Sequence, residues 1–380
     1  MHSDPDNAVR QTDFDALSSR LSCYLKGYSP EDTYILDIVP LLMYYQLLGT
    51  ESEFRKFALA RSLKTQFFNL FPVTHTTVKG LINLDKNAVR SKINKFTPLK
   101  SPMINRGTYL RTKAISDHID AFMNSHSEDP LVQIVSLGAG NDTRPFNLLP
   151  RHHNLQYFEL DMEQTTRLKA LTILSSPTLS EPVGATPLTE QQLPSNAGQV
   201  LSFPSSLNTP NYHLLPCDLR LLREGTSLSD IKELSHLEAS VPTLIVSECC
   251  ICYLSQTDSN NLIQFWSNNL KSDAQLLIYE PLGGPEEGAN NKYGHVMIRN
   301  LICRGIEMPT LMEYGTIDRQ KARFEQLIPR STVWCRDMKW VYENQITQPE
   351  IERISQLELL DEMEELNLIN SHYCLIVVKW

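Results

Sequence analysis

The sequence predicts an α/β fold, with a mostly parallel central sheet, an antiparallel edge and extra helices ahead of it, and three observations predict it. First, Val132 to Phe146, VQIVSLGAGNDTRPF, is an aliphatic, β-branched run that leads into two glycines one residue apart. Such a run reads as a buried parallel strand entering a tight turn. Second, three later apolar runs each end in a carboxylate: Gln156 to Leu160 before Asp161, His213 to Cys217 before Asp218, and Thr243 to Ser247 before Glu248. Acids at successive strand ends belong on the rim where open α/β sheets bind ligands. Third, HYCLIVVKW, His372 to Trp380, is an apolar strand after a helical region. It fits an edge hairpin with Thr332 to Asp337 as its partner.

The elements follow in chain order. Leu17, Leu21 and Leu25 recur on one face, with Arg20 among them, and predict a surface helix before Gly27. Tyr34 to Leu70 alternates apolar stretches with Arg55, Lys56, Arg61 and Lys64 and reads as two further helices, and the basic stretch Asn87 to Lys100 reads as cover for the flank. INRGTYLRT, Ile104 to Thr112, opens a helix that runs through Phe122. Arg106 or Arg111 within it can hold a ligand carboxylate through two parallel charge-assisted hydrogen bonds. Glu159 and Asp161 follow the glycines by about 20 residues, the spacing at which an acid meets ribose hydroxyls. Asp218 and Leu219 are placed to contact an adenine edge.

Leu174 to Pro210 is rich in Ser, Pro, Thr and Gln and reads as a flexible insertion unable to bury enough apolar surface. Past Glu248, CCICYL puts Tyr253 where an acceptor would sit, and Ser255 caps a helix that carries Leu262, Ile263 and Trp266. Gln275 to Gly284 is the next strand, and NKYGHVMIRNL gives a helix with Lys292 at its start as a contact for an anionic substrate. Pro349 suits the first turn of a helix through Leu359, and Asp361, Glu362, Glu364 and Glu365 form a solvated acidic face.

With 380 residues, 41% apolar and 21% charged, the chain is ample for a full core. Its net charge of -9 argues against nucleic acid as the main partner. The eight cysteines sit largely in apolar runs, as free thiols do in a reducing compartment, and Cys250 and Cys252 lack the second half of a zinc site, so no metal is expected. MHSDPDNAVR has no signal-peptide character, and Tyr34 to Leu48 is too short to span a bilayer and contains Asp37 and Pro40. The expectation is a soluble, cytoplasmic protein without membrane contact.

The glycine turn decides the ligand class. Gly138 and Gly140 let the backbone turn sharply and approach a ligand, and Asn141 or Asp142 can cap the helix that follows. The dinucleotide fingerprint has a third glycine three positions after Gly140, where this chain has Thr143 preceded by Asp142. A carboxylate beside the turn repels a pyrophosphate, which disfavours a nicotinamide coenzyme. It suits a ligand with a cationic centre, and S-adenosylmethionine carries a sulfonium and an ammonium.

The segments DALSSRL, INRGTYLRT, VSLGAGNDT, YFELD, CDLR, SECCICYL, YGHVMIRNL and LDEMEEL with HYCL, in that order, resemble the leucine carboxyl methyltransferases. The resemblance implies a Rossmann-like class I S-adenosylmethionine-dependent methyltransferase fold, with residues 1–110 as a helical cover and lid and 111–380 as the methyltransferase domain. It implies cofactor contacts at Arg20, Arg111, Gly138, Asp161, Asp218, Leu219 and Glu248. Arg20 stands where relatives have lysine. Tyr253 and Lys292 are the residues expected to orient the substrate, and none is expected to transfer a proton. Asn291 to Tyr293 reads NKY where the family pattern is nearer Asp-Arg-Phe, and residues 40–96 are longer than in some relatives. The implied substrate is the C-terminal leucine carboxylate of the type 2A protein phosphatase catalytic subunit, met by a monomer. The alternatives are a related methyltransferase acting on a tRNA base or a small carboxylic acid, and a non-catalytic protein that kept the fold.

Overall fold

The computed structural model describes residues 5–49, 100–271, 273–284 and 292–380. The second helix expected before Leu70, the basic stretch from Asn87 and the long segment after position 49 lie outside the described residues. The described strands are β1 (Val132–Leu137), β2 (Leu155–Asp161), β3 (Leu207–Asn208), β4 (Tyr212–Pro216), β5 (Thr243–Glu248), β6 (Ala274–Pro281), β7 (Thr332–Asp337) and β8 (Tyr373–Lys379). They form one sheet in the order β3-β4-β2-β1-β5-β6-β8-β7. β4, β2, β1, β5 and β6 run parallel. β3 is antiparallel to β4, and β8 is antiparallel to both β6 and β7.

The strands read as continuous apolar runs because the sheet is covered on both faces. In β1, Val132 and Ile134 enter one core and Val135 and Leu137 the other, and β2, β5, β6 and β8 alternate in the same way. The first core is completed by helices α1 (Pro5–Leu25), α2 (Ile35–Leu48), α3 (Pro102–Ser125) and, past the short α4 (Arg144–Leu148), α5 (Glu163–Leu174). The second takes Leu262, Ile263, Phe265 and Trp266 from α6 (Gln256–Asn269), whose N-cap is Ser255 as expected, with its side chain accepting from the Asp258 amide.

The final strand pairs with Thr332–Asp337 as expected, in an antiparallel hairpin at one edge of the sheet: β8 sits between β6 and β7, and β7 is the outermost strand. β8 is buried on both faces and β7 is half-exposed. Two expectations change. Residues 174–210 do bury apolar surface. Leu179, Val183 and Val200 join the core from short helical turns, fastened by the Ser180 hydroxyl donating to Ile173 O at 2.8 Å and by Asn196 capping the Gln199 amide. The division at residue 110 falls inside α3, which buries Tyr109, Leu110, Ala114 and Ile115 in sequence, so cover and sheet share this helix.

Candidate active site

The strand order reverses at β1, between β2 on one side and β5 on the other, and the crevice at such a switch point is where open sheets hold ligands. β1 ends in the glycine turn. Gly138 and Gly140 have φ of +58° and +50°, the left-handed region that favours glycine. Space is closed there as well: a Cβ on Gly138 would meet Cys250 Sγ at 2.5 Å, and one on Gly140 would strike the Asp13 carboxylate of α1. The Gly140 amide donates to Asp161 Oδ2 at 2.7 Å, the Met162 amide to Asp161 Oδ1 at 2.6 Å, and the Asn141 amide to Asp13 Oδ1 at 3.0 Å.

A chain of alternating charges braces the turn. Arg20 donates to Asp32 Oδ2 at 2.8 Å, to Thr143 Oγ1 and to Asn141 O at 3.3 Å, and lies 3.7 Å from Asp142. Arg144 Nη1 donates at 2.8 Å to both Asp142 Oδ2 and Glu248 Oε2, and Arg111 Nε donates to Glu248 Oε1. Burial alone would raise the Glu248 carboxyl, yet Arg111 and Arg144 outweigh it and hold it at about 2. The same contest lowers Asp142, where Arg144 and Arg20 prevail over burial.

These groups border a cavity of about 720 Å³ that takes in Arg20, Arg111, Gly138, Asp161, Asp218, Leu219, Glu248 and Tyr253. The seven residues that the family resemblance implied as cofactor contacts, with Tyr253, thus all border one cavity. Asp218 caps the turn that follows it through the Arg220 amide at 3.0 Å, and Arg220 reaches on to Asp6 of α1 at 3.0 Å, so α1 is tied down at the cavity mouth. Lys292 opens α7 (Lys292–Ile302), but its side chain lies outside the description.

Two sequence candidates lie elsewhere. Glu159 is fully buried against Lys169 Nζ, 2.6 Å away, and the Tyr212 hydroxyl, so it faces the α5 layer and not a ribose. Arg106 is buried and donates to Glu358 O at 3.2 Å, which leaves Arg111 as the arginine of α3 at the cavity.

Part of the lining is apolar and aromatic. Tyr279 and Tyr373 stack with centroids 5.4 Å apart, the Arg111 guanidinium lies 5.2 Å from the Tyr279 centroid, and Met297, Leu301 and Met308 continue the surface. Burial raises the Tyr253 hydroxyl and pushes the Cys249 thiol up to about 11, so neither is ionised near neutral pH and the thiol is no nucleophile. The Cys252 amide donates to Glu280 Oε1 at 2.8 Å, fixing the bend after β5.

The sequence reading missed Asp13, Arg144, Tyr279 and Tyr373. Arg144 stands two residues after Asp142, a spacing that could have signalled the ion pair. Asp13 lies 128 positions from its partner, and nothing local announces it.

A family model described as leucine carboxyl methyltransferase matches residues 60–267. "Leucine carboxyl methyltransferase 1" of Candida albicans is 32% identical over 381 residues, covering 98% of this chain and 92% of that protein. The protein of the same description from Yarrowia lipolytica is 31% identical over 375 residues, covering 98% and 96%. Among solved structures, the plantazolicin methyltransferase BamL is similar with a TM-score of 0.42 and 9% identity, over 76% of this chain and 90% of that one.

Proposed function

The chain belongs to the leucine carboxyl methyltransferase family, and from that premise we propose that its substrate is the C-terminal leucine carboxylate of the type 2A protein phosphatase catalytic subunit, converted to a methyl ester. The fold is the Rossmann-like class I methyltransferase fold, and the activity is S-adenosylmethionine-dependent carboxyl methylation.

The residues present fit this donor. Side-chain space is closed at both glycines, and the rim carries Asp161, Asp218 and Glu248, a donor set for a cationic adenosyl ligand. When bound, S-adenosylmethionine supplies a methyl carbon activated by a positively charged sulfur. We assign Asp161 and Asp218, with Leu219, to the adenosyl portion and Gly138 to close backbone approach. Arg111 takes the methionine carboxylate: its bond to Glu248 uses Nε, and the two terminal amino groups make no other hydrogen bond among the described residues. Arg20, whose donors go to Asp32, Thr143 and the turn, holds the cradle in shape. Tyr253, which borders the cavity, and Lys292, at the start of α7, are assigned to orient the substrate.

A leucine carboxylate is already ionised near pH 7, so its attack needs no general base. The chain's work is alignment and exclusion of water, and orientation of this kind can contribute about 7 to 11 kcal/mol. The observation that carries the reading is a single cavity bordered by the carboxylates of Asp161, Asp218 and Glu248, by Arg111, and by tyrosines and methionines.

Incubation with methyl-labelled donor and the phosphatase catalytic subunit should give base-labile label that disappears when the terminal leucine is removed. Equal labelling of the truncated subunit would overturn the proposal. Arg111→Ala should weaken binding of S-adenosylhomocysteine, measured by calorimetry, by about 10- to 100-fold, the worth of a charge-assisted pair. Unchanged affinity would remove Arg111 from this role.

A further inference from the structure

We propose that Asp13, carried by the covering helix α1, is a cofactor-positioning residue that receives the cationic amino-acid end of the methyl donor against the glycine turn. The inference rests on the donor reading above and adds to it a residue from outside the sheet domain.

Two carboxylates converge on one turn. Successive amides serve them: Gly140 N donates to Asp161 at 2.7 Å and Asn141 N donates to Asp13 at 3.0 Å. The Asn141 side-chain amide donates to the second oxygen of Asp13. Asp13 also occupies the space that a side chain on Gly140 would need, and both acids border the cavity.

The charges that act on Asp13 come from three elements. β2 contributes Asp161, and α5 contributes Lys169, whose ammonium is bonded behind the turn to Glu159 and to Asp142 O. From α1 itself, Arg20 is paired with Asp32, Asp15 with Arg304, and Arg10 borders the same cavity. Burial first, and the charge of Asp161 second, push the Asp13 carboxyl up to about 6. Asp161 is raised as well, chiefly by burial. A cation entering the cavity between them relieves this repulsion, and the ammonium of the donor is such a cation.

The sign follows from linkage. A bound cation favours ionised Asp13, so affinity is full above about pH 6 and falls as the carboxyl takes up its proton below it, by about tenfold between pH 7 and pH 5. A merely structural Asp13 would not couple ligand affinity to that titration.

The experiment is calorimetric titration with S-adenosylhomocysteine, which keeps the ammonium, and with adenosine, which lacks it, from pH 5 to pH 8. The unaltered chain and Asp13→Glu should lose about tenfold in affinity for S-adenosylhomocysteine between pH 7 and pH 5. Asp13→Asn should bind it about tenfold more weakly at pH 7 and show no step centred near pH 6. Adenosine should show no step. A step of the same size with adenosine, a step retained in Asp13→Asn, or a flat profile in the unaltered chain would overturn the assignment. The adenosine arm uses the unaltered chain, so it decides the matter even if the asparagine variant fails to fold. Absence of S-adenosylhomocysteine binding at every pH would instead overturn the donor reading.

Discussion

Lys169→Met is expected to destabilise the fold by about 3 to 5 kcal/mol, the cost of leaving one member of a buried ion pair alone. The Lys169 and Glu159 side chains are fully buried, 2.6 Å apart at their closest, and Lys169 Nζ also donates to Asp142 O at 2.9 Å. Tyr212 supplies the only other bond to Glu159 among the described residues, at 2.6 Å. Burial pushes the Glu159 carboxyl to about 7 against the pull of Lys169. With the ammonium gone that pull is lost, and the carboxyl rises further. An acid raised in the folded state holds more protons there than when unfolded, so its contribution is full at low pH and is lost as pH rises through the folded value. The deficit of Lys169→Met should therefore be larger at pH 8 than at pH 6. Urea midpoints at the two pH values check this, and Lys169→Met with Glu159→Gln should recover most of the loss because no charge stays buried. A deficit that shrank toward pH 8 would contradict the buried-pair account. The same variant frees Asp142 O, so the cradle loses a brace from behind.

Which parts of this arrangement could be read from the sequence depends on how local their cause is. The glycine turn and the acids at the ends of β2, β4 and β5 were legible because backbone sterics and strand periodicity act within a few residues. The fate of Glu159 was not: it shares strand parity with Asp161, and only the position of Lys169 on α5 turns it into a core ion pair while Asp161 bonds the turn. Residues 174–210 misled through composition, since a handful of aliphatic anchors and side-chain caps suffice where a neighbouring core accepts Leu179, Val183 and Val200. The hairpin of β7 and β8 was legible because an apolar run after a helical region reads as a strand that closes the sheet. Asp13, and Arg144 in its bond to Glu248, complete the site through contacts that span the sheet rim, and pairings of that kind leave no periodic mark.

The other large effect is expected at Glu248. Arg20, Asp142, Arg144, Glu248 and Arg111 alternate in sign along the rim, and Glu248 is the one carboxylate hydrogen-bonded to both Arg144 and Arg111 among the described residues. Glu248→Gln keeps the shape and removes the charge, leaving Arg111 over Tyr279 without its counter-ion. Because Arg111 and Arg144 hold this carboxyl at about 2, against an ordinary value of 4.5, its ionised form stabilises the fold by at most about 3 kcal/mol. A depressed acid contributes fully above its unfolded value and loses that contribution as pH falls through the folded one. The stability gap between parent and variant should thus be widest at pH 5 to 7 and close as the pH is taken toward 2, read as urea midpoints across that range. Affinity for S-adenosylhomocysteine should fall by at least about tenfold at pH 7, since the arginine assigned to the ligand carboxylate is no longer oriented. A variant as stable as the parent at pH 7 but equally impaired in binding would place the role of Glu248 in direct ligand contact, and one unimpaired in both would show that the alternating chain does not set the site.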